Sequence, residues 1–471
     1  MAKIAVKFSK GAVEVRMNFE QDHQLCLDKL LWATRQLEVD ISDRDLAKIA
    51  EIIVQTMTGP WRYFHTPDHI FEVGGSANAI EVLAALFHDL VYVQVDQTVN
   101  FNLTFYIVPF IREVKEHLYI RSAEDLPNDP MFDMVMRVFG FSPNQELSPF
   151  TGQNEFLSAL VCAKVLEPFF SQGLILKIIA CIETTIPFRP ASDGLTPAEH
   201  LYDRLKAANA DYQLNLTDDE LIQAVQQAVR MANRDVGSFA NPSSARFLDN
   251  TWSLLPETNH NLKNPSSYTV NEYRVALQKM EGFMNFLRPE LVFQQFHNEP
   301  NDSTYQNLLE RAERNIEIAR LYIGSKLFTM AVLEALSRRF GRNIPLSTIM
   351  GELNPMGLQI ETLEDLLPEF PNHHPPRNIL EREVLELLEK GRYSSSSYDI
   401  KNSPLTTLMV KVMGFDRICE LLGQAKSFFK DELSGESFLA ACDPAIVETI
   451  TVSMSKLFDS RKKALMQSTA S

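Results

Sequence analysis

The chain has 471 residues, 45% of them hydrophobic and 23% charged, a composition that excludes disordered, collagen-like and fibrous classes at a length that predicts two domains rather than one core. Asp and Glu outnumber Lys and Arg by 61 to 45, a formal charge of −16, so a long phosphate backbone is repelled by the average surface and a dedicated nucleic-acid binder is disfavoured. No apolar run reaches the ~18 residues of a membrane span, the N-terminal stretch lacks the apolar core of a secretory signal, and five cysteines without close pairs read as buried thiols of a reducing, cytoplasmic setting.

Apolar residues three and four apart run almost throughout, which predicts an all-α protein. Ser42 caps a helix whose apolar face carries Leu46, Ile49, Ile53 and Val54. In Trp61-Arg-Tyr-Phe-His65-Thr-Pro-Asp-His69, Thr66 is the expected cap and Pro67 the first helical position, which puts His69 in the first turn. Gly74-Gly75 ends that helix. Ser76 is expected to cap the next, which runs through Ile80, Leu83, Leu86 and Phe87 and finishes near His88-Asp89. Between 93 and 153, Pro109, Pro127, Pro130, Pro143 and Pro149 interrupt aromatic-rich stretches, as in an insertion laid on a core. Thr196-Pro-Ala-Glu199 and Thr217-Asp-Asp-Glu220 are capping boxes and mark two helix starts. Residues 240 to 268, rich in Asn, Pro and Ser, read as an irregular stretch, after which helical pattern resumes at Val270. Thr304 to Phe340 opens a C-terminal helical region interrupted by a rigid connection from Leu367 to Pro376 and a mobile one from Gly391 to Ser397. The Met-rich segment from Leu405 to Met413 reads as core, and His373-His374 as exposed loop.

The chemistry is concentrated around His88-Asp89. In Ala-Leu-Phe-His88-Asp89-Leu-Val-Tyr92 the carboxylate lies in an apolar run, where an unpaired charge costs several kcal/mol unless a cation or a set of donors meets it. A buried Asp-His hydrogen bond without metal satisfies that demand. So does a shared metal ion, and His69 on an adjoining helix adds weight to that reading.

Five segments in order resemble the HD-domain metal-dependent phosphohydrolases, in particular a subgroup with a pattern close to YHN-x-x-H, WFHD-x-VY, NEE-x-SA, T-x-x-H and D-x-DL. The matches are Phe64-His-Thr-Pro-Asp-His69, Leu86-Phe-His-Asp-Leu-Val-Tyr92, Asn154-Glu-Phe-Leu-Ser-Ala159, the helix from Ile178 to Thr185, and Asn233-Arg-Asp-Val236. The resemblance implies an HD-like helical bundle over residues 1–300, with 93–153 as its insertion, followed by an unrelated helical region over 301–471 that could engage a protein partner. It implies His69, His88, Asp89 and Asp235 as ligands whose tips should lie within about 5 Å of one another. This nitrogen and oxygen set suits a divalent Mn, Fe, Zn, Co or Ni better than Mg. The implied activity is hydrolysis of a small phosphoester or nucleotide through a metal-bound water. Glu155 would order that water, with a solvated helix-start glutamate as the alternative. His65 would face the substrate phosphate, the metal or a neighbouring carboxylate, or be structural. Arg62, Arg189 and Arg234 are the cations expected nearest the site.

The departures from the pattern are specific. Glu155 lies 66 positions beyond Asp89, Phe156 replaces the second Glu, no His follows Thr184-Thr185, and Asp235 lies 146 positions beyond Asp89. A catalytically degenerate HD protein acting as a binding or regulatory module is therefore the alternative to an enzyme, and a metal-free helical scaffold is the third reading.

Overall fold

The computed structural model describes residues 10–264, 267–339, 341, 344–350 and 362–467, with side chains between 18 and 458. The chain is mostly helical, as expected, and no helix among the described residues is long and apolar enough to cross a membrane. It divides into two compact units that interleave in sequence: Met1–Ser238 with Pro289–Leu309, and Phe239–Arg288 with Glu310–Ser471. The single boundary expected near 300 does not describe this division, because residues 239–288 join the second unit.

The first unit begins with α1 (Lys10–Gln36), α2 (Asp43–Met57), α3 (Pro67–Gly74) and α4 (Ala79–His88). Ser42 accepts the Asp45 N–H at the start of α2 and buries Leu46, Ile49, Ile53 and Val54 as their spacing requires. Thr66 precedes Pro67 at the start of α3 but makes no side-chain capping bond, and Gly75 ends the helix at φ 62°, a conformation suited to glycine. The cap of α4 is Asn78, which accepts the Glu81 N–H, rather than the expected Ser76. Every residue of α4 is buried, as befits a helix apolar on all sides that forms the centre of a bundle.

The expected insertion contains two short helices, α5 (Val93–Asp96) and α6 (Thr104–Ile107), then β1 (Ile111–Val114), β2 (His117–Ile120), α7 (Pro130–Phe139) and β3 (Glu146–Leu147). The strands form an antiparallel sheet in the order β1-β2-β3, a minor departure from purely helical structure. This segment also supplies core: Phe110, Phe132 and Phe139 are buried, and α7 packs on α8 (Gln153–Leu166). The unit continues with α9 (Gln172–Thr184), α10 (Pro197–Asp211) and α11 (Asp218–Asp235), the last two opening on the expected capping boxes. α9 packs against α4, α8 and α11 and ties these layers together.

In the second unit, residues expected to be irregular form α12 (Ser244–Thr258), capped by Ser243, with Pro256 near its end. After it come α13 (Val270–Phe286), with its own Thr269–Glu272 capping box, and, back in the first unit, α14 (Pro289–Val292). α15 (Asp302–Ser337) leads on to α16 (Leu346–Met350), α17 (Ile379–Lys390), α18 (Pro404–Phe429), α19 (Gly435–Ala441) and α20 (Pro444–Gln467). The Met-rich start of α18 is core, as expected; of the cysteines, Cys419 is exposed rather than buried. The serine-rich connection expected to be mobile is bonded: Ser394 Oγ donates to Asp249 at 2.7 Å, and Ser396 caps Asp399.

Asp399 organises this unit. Its carboxylate accepts from Trp252 Nε1 at 2.7 Å, Tyr273 Oη at 2.8 Å, Lys326 Nζ at 2.9 Å and Arg392 Nη1 at 3.3 Å. The Arg392 side chain is wholly buried and that of Lys326 only 8% exposed, so removing the carboxylate leaves two cations without water. Asp399→Ala is expected to destabilise the protein by about 3–5 kcal/mol in urea denaturation, and Asp399→Asn by less. A loss below about 1 kcal/mol for the alanine variant would show that the cluster is not the anchor of the unit.

Candidate metal centre

Two helix C-termini and one helix start meet in the first unit. His69 stands in the first turn of α3, His88 is the last residue of α4, Asp89 is the cap that follows it, and Asp235 is the last residue of α11. One donor atom from each of the four lies within 4.8 Å of the other three, although His69 and Asp235 are 166 positions apart. The expected convergence is therefore present.

The donor spacing is close to that of a coordination shell. His69 Nε2 is 3.0 Å from Asp235 Oδ1 and 3.4 Å from Asp89 Oδ2; His88 Nε2 is 3.0 Å from Asp89 Oδ2 and 3.5 Å from Asp235 Oδ1. An ion bonded at ~2.1 Å in an octahedral shell sets adjacent donors about 3 Å apart and opposite donors about 4 Å apart. His88 Nε2 and Asp89 Oδ2, despite their 3.0 Å separation, make no hydrogen bond to each other or to any other of the described residues. His88 Nδ1 lies 2.7 Å from the Ala85 carbonyl, so Nδ1 carries the proton in neutral imidazole and Nε2 presents its lone pair to the cluster. His88 is buried, while the side chains of His69, Asp89 and Asp235 retain 10%, 17% and 18% of their exposure. These residues fit a divalent cation in both charge and donor type, and the partial exposure leaves an approach for solvent.

Without a cation, the four groups charge one another. Burial opposes protonation of His69, but the Asp235 and Asp89 carboxylates outweigh it and raise the imidazole to about 9. The same contest raises His88 well above its usual value. Burial likewise disfavours the charged carboxylates, yet the imidazoles hold Asp89 well below its usual range and Asp235 down to about 2.

The surrounding side chains hold the Asp89 segment by its backbone. Arg62 is buried and donates to the carbonyls of Asp89 at 2.7 Å and Leu90 at 3.2 Å while pairing with Asp96 at 2.7 Å. Ser158 Oγ accepts the Val91 N–H at 3.0 Å, and Asn154 Oδ1 accepts the Val93 N–H at 3.1 Å. Arg234 turns away from the centre, donating to the Val73 carbonyl at 2.7 Å and to Glu81 at 2.6 Å. Glu81 also accepts from Arg230 Nη2 at 2.8 Å, which fastens α11 to α4. Of the three expected cations, Arg62 and Arg234 thus position backbone.

Glu155 is in the first turn of α8, and its Oε2 is buried without a hydrogen-bond partner among the described residues. The residue as a whole is half-buried, so the side chain keeps part of its contact with solvent. Burial raises its carboxyl to about 7; Asp89 and Asp235 add to the rise, and its backbone hydrogen bond and Arg189 oppose it. His65 is outside the four-residue group: its ring centroid is 4.6 Å from that of Tyr92 and 5.7 Å from that of His69. Phe156, where the pattern has a second Glu, is fully buried among Phe132, Phe139 and Phe141. Gln294 was not anticipated. It donates to the Thr184 carbonyl at 3.2 Å, is held by reciprocal bonds with Asn233, and has a buried Oε1 without a partner. It belongs to the stretch after α14 that returns to this unit, and only the folded chain reveals that return.

No family model, no curated protein and no solved structure matches the chain.

A cation requires neutral imidazoles, so loading must displace the protons held by His69 and His88. Metal affinity is therefore expected to rise with pH from about 6.5 towards 9, with proton release detectable by titration calorimetry in buffers of different ionisation enthalpy. The metal-free protein should behave oppositely. The folded-state pKa of His69, about 9, exceeds its unfolded value near 6.5, so its contribution to stability is complete below 6.5 and lost as pH rises through 9. Metal uptake without proton release would contradict the charged state of the two histidines.

Proposed function

We propose that the protein is a metal-dependent phosphohydrolase of HD-like architecture acting on a small phosphoester or nucleotide. The observation that carries this reading is the convergence of His69, His88, Asp89 and Asp235 with His88 Nε2 and Asp89 Oδ2 left without hydrogen-bond partners. A bound divalent ion, with Mn, Fe, Zn, Co or Ni favoured over Mg by the mixed donors, would acidify water and offset charge on a phosphoryl oxygen. Glu155, with its unpartnered Oε2 and a carboxyl near neutrality, orients water and takes its proton. His65, whose ring lies 5.7 Å from that of His69, would meet the substrate phosphate. Arg62, Ser158 and Asn154 hold the backbone around Asp89, so its carboxylate keeps its place as charge changes nearby.

A second reading keeps the metal and loses catalysis. It is favoured by Phe156, whose aromatic packing removes a carboxylate from the pattern, and by Thr184-Thr185, which are not followed by a histidine.

The test is elemental analysis of protein purified without chelator, then a panel of phosphomonoesters and nucleotides with added Mn. Metal with turnover supports the enzyme, metal without turnover the second reading, and absence of metal removes both. Asp89→Ala is expected to abolish metal binding and hydrolysis together. Glu155→Gln is expected to retain the metal and lower kcat by about 10²-fold or more. Equal metal loss in both variants would sink this division of roles.

A further inference from the structure

We infer that the helical segment from Asn100 to Phe110 is a self-association face, through which one copy of this chain meets the same face of a second copy. The inference goes beyond the proposed function and uses no residue of the candidate metal centre.

A tight helical turn over Phe101–Leu103 runs directly into α6, and the N–H groups of Val108 and Phe110 continue the pattern by donating to the carbonyls of Thr104 at 2.9 Å and Ile107 at 3.0 Å. Residues 101, 105 and 108 therefore fall on one side of the segment, and 103, 107 and 110 on the other. Both sides are apolar. Leu103, Ile107 and Phe110 are buried, and Phe110 stacks on Phe132 with ring centroids 4.2 Å apart. Phe101, Phe105 and Val108 are 86%, 82% and 55% exposed. A helical segment that is apolar all round is suited to burial on both sides, and here the fold covers only one. The support beneath the exposed rings is well anchored: α6 packs on α8, and Asn102 Nδ2 donates to Gln55 Oε1 of α2 at 3.1 Å.

Charge selects the occupant. Of the whole chain 23% is charged, yet no charged residue occurs from Gln97 to Ile111. With a formal charge of −16, two copies meet most readily where neither surface brings a carboxylate. An anionic bilayer calls for Lys or Arg beside the inserted rings, and this stretch has none. A charged protein surface would lose its hydration against phenyl rings and gain no ion pair. The same face on a second copy avoids both costs, being neutral, aromatic and self-complementary about a two-fold axis. The size agrees. At about 200 Å² per phenyl side chain, the three residues expose roughly 400 Å² of apolar surface. In an interface that is about 57% apolar, this corresponds to roughly 700 Å² per copy and 1,400 Å² in total, within the range of about 1,200–2,000 Å² for specific complexes.

The test is sedimentation velocity of the full chain from about 1 to 100 μM, at about 0.1 M and 0.5 M salt. The wild type is expected to dimerise, more strongly at the higher salt, because screening relieves repulsion between the copies. Phe105→Glu is expected to weaken the dimer by at least about a hundredfold, since it buries a carboxylate in an apolar contact. An unchanged thermal transition shows that the variant folds. Should it not fold, Phe101→Ser is read instead, with a loss of about tenfold or more expected from the missing ring. Mixing Phe105→Glu with Phe105→Lys should recover dimer that neither forms alone, because each face meets its equivalent. A wild type that stays monomeric throughout overturns the proposal, as does a dimer that survives these substitutions or a mixture without recovery. Binding of the wild type to phosphatidylcholine vesicles that is lost in Phe105→Glu would assign the face to lipid and overturn it as well.

Discussion

The first unit depends on how a buried bundle accommodates charge at the two ends of one central helix. Glu81 and His88 are seven residues apart in α4, so they share a face about 10 Å apart. At the Glu81 end the charges cancel: Arg230 and Arg234 from α11 meet Glu81 and Glu299. At the His88 end they cancel only if the two carboxylates meet two protonated imidazoles or one divalent cation. Because Arg234 and Asp235 are adjacent on α11, the ion cluster that fixes α11 against α4 also sets where Asp235 falls relative to His88. Sliding either helix by one turn would break both sets of contacts. The site is therefore positioned by ordinary packing and buried ion pairs, and its own groups need supply little of that order.

The backbone after Asp89 is constrained in the same way. A carboxylate at a helix C-terminus faces unfavourable local electrostatics, since the helix dipole places partial negative charge there. Arg62 offsets this by bringing a guanidinium onto the carbonyls of Asp89 and Leu90, while Ser158 and Asn154 accept the amides of Val91 and Val93. The Asn and Ser of the NE-x-x-SA segment thus act on the peptide chain, and Glu155 between them is left without such an attachment at Oε2.

Features encoded within a few residues were legible in the sequence. The capping boxes at Thr196 and Thr217, the Ser42 cap and the Gly75 terminus depend on bonds between neighbours along the chain, and their spacing is visible as text. The group of four was legible for another reason: a His-Asp pair among apolar residues states an electrostatic demand that His69 on an adjoining helix could meet, while Asp235 was pointed to only by the resemblance. Features decided by distant partners were not legible. Asn78 and Ser76 are both chemically able to cap, and the position of α4 selects Asn78. Residues 244–258 read as irregular because Asn, Ser and Pro have low helix propensity, yet burial of Phe247, Trp252 and Leu255 stabilises a helix there. The Gly391–Ser397 stretch is polar and serine-rich, but Asp249 and Asp399 give those serines fixed partners.

The segment between 93 and 153 gives a physical reason for the aromatic residue at position 156. That segment brings Phe132, Phe139 and Phe141 to α8, and the residue they surround is Phe156. A glutamate in that place would bury a charge among aromatic rings at a cost of several kcal/mol, so this aromatic layer and a second carboxylate are incompatible. Phe156 leaves the neighbourhood of Glu155 less negative than a glutamate would. The turn after α9 shifts the balance in the same direction, because the left-handed Phe188 conformation accompanies the return of Arg189 onto Glu183. A permanently charged guanidinium cannot donate or accept a proton at neutral pH, so this turn cannot serve in proton transfer. Under the proposed function, proton transfer would then fall to Glu155, the remaining carboxyl whose environment brings it to about 7.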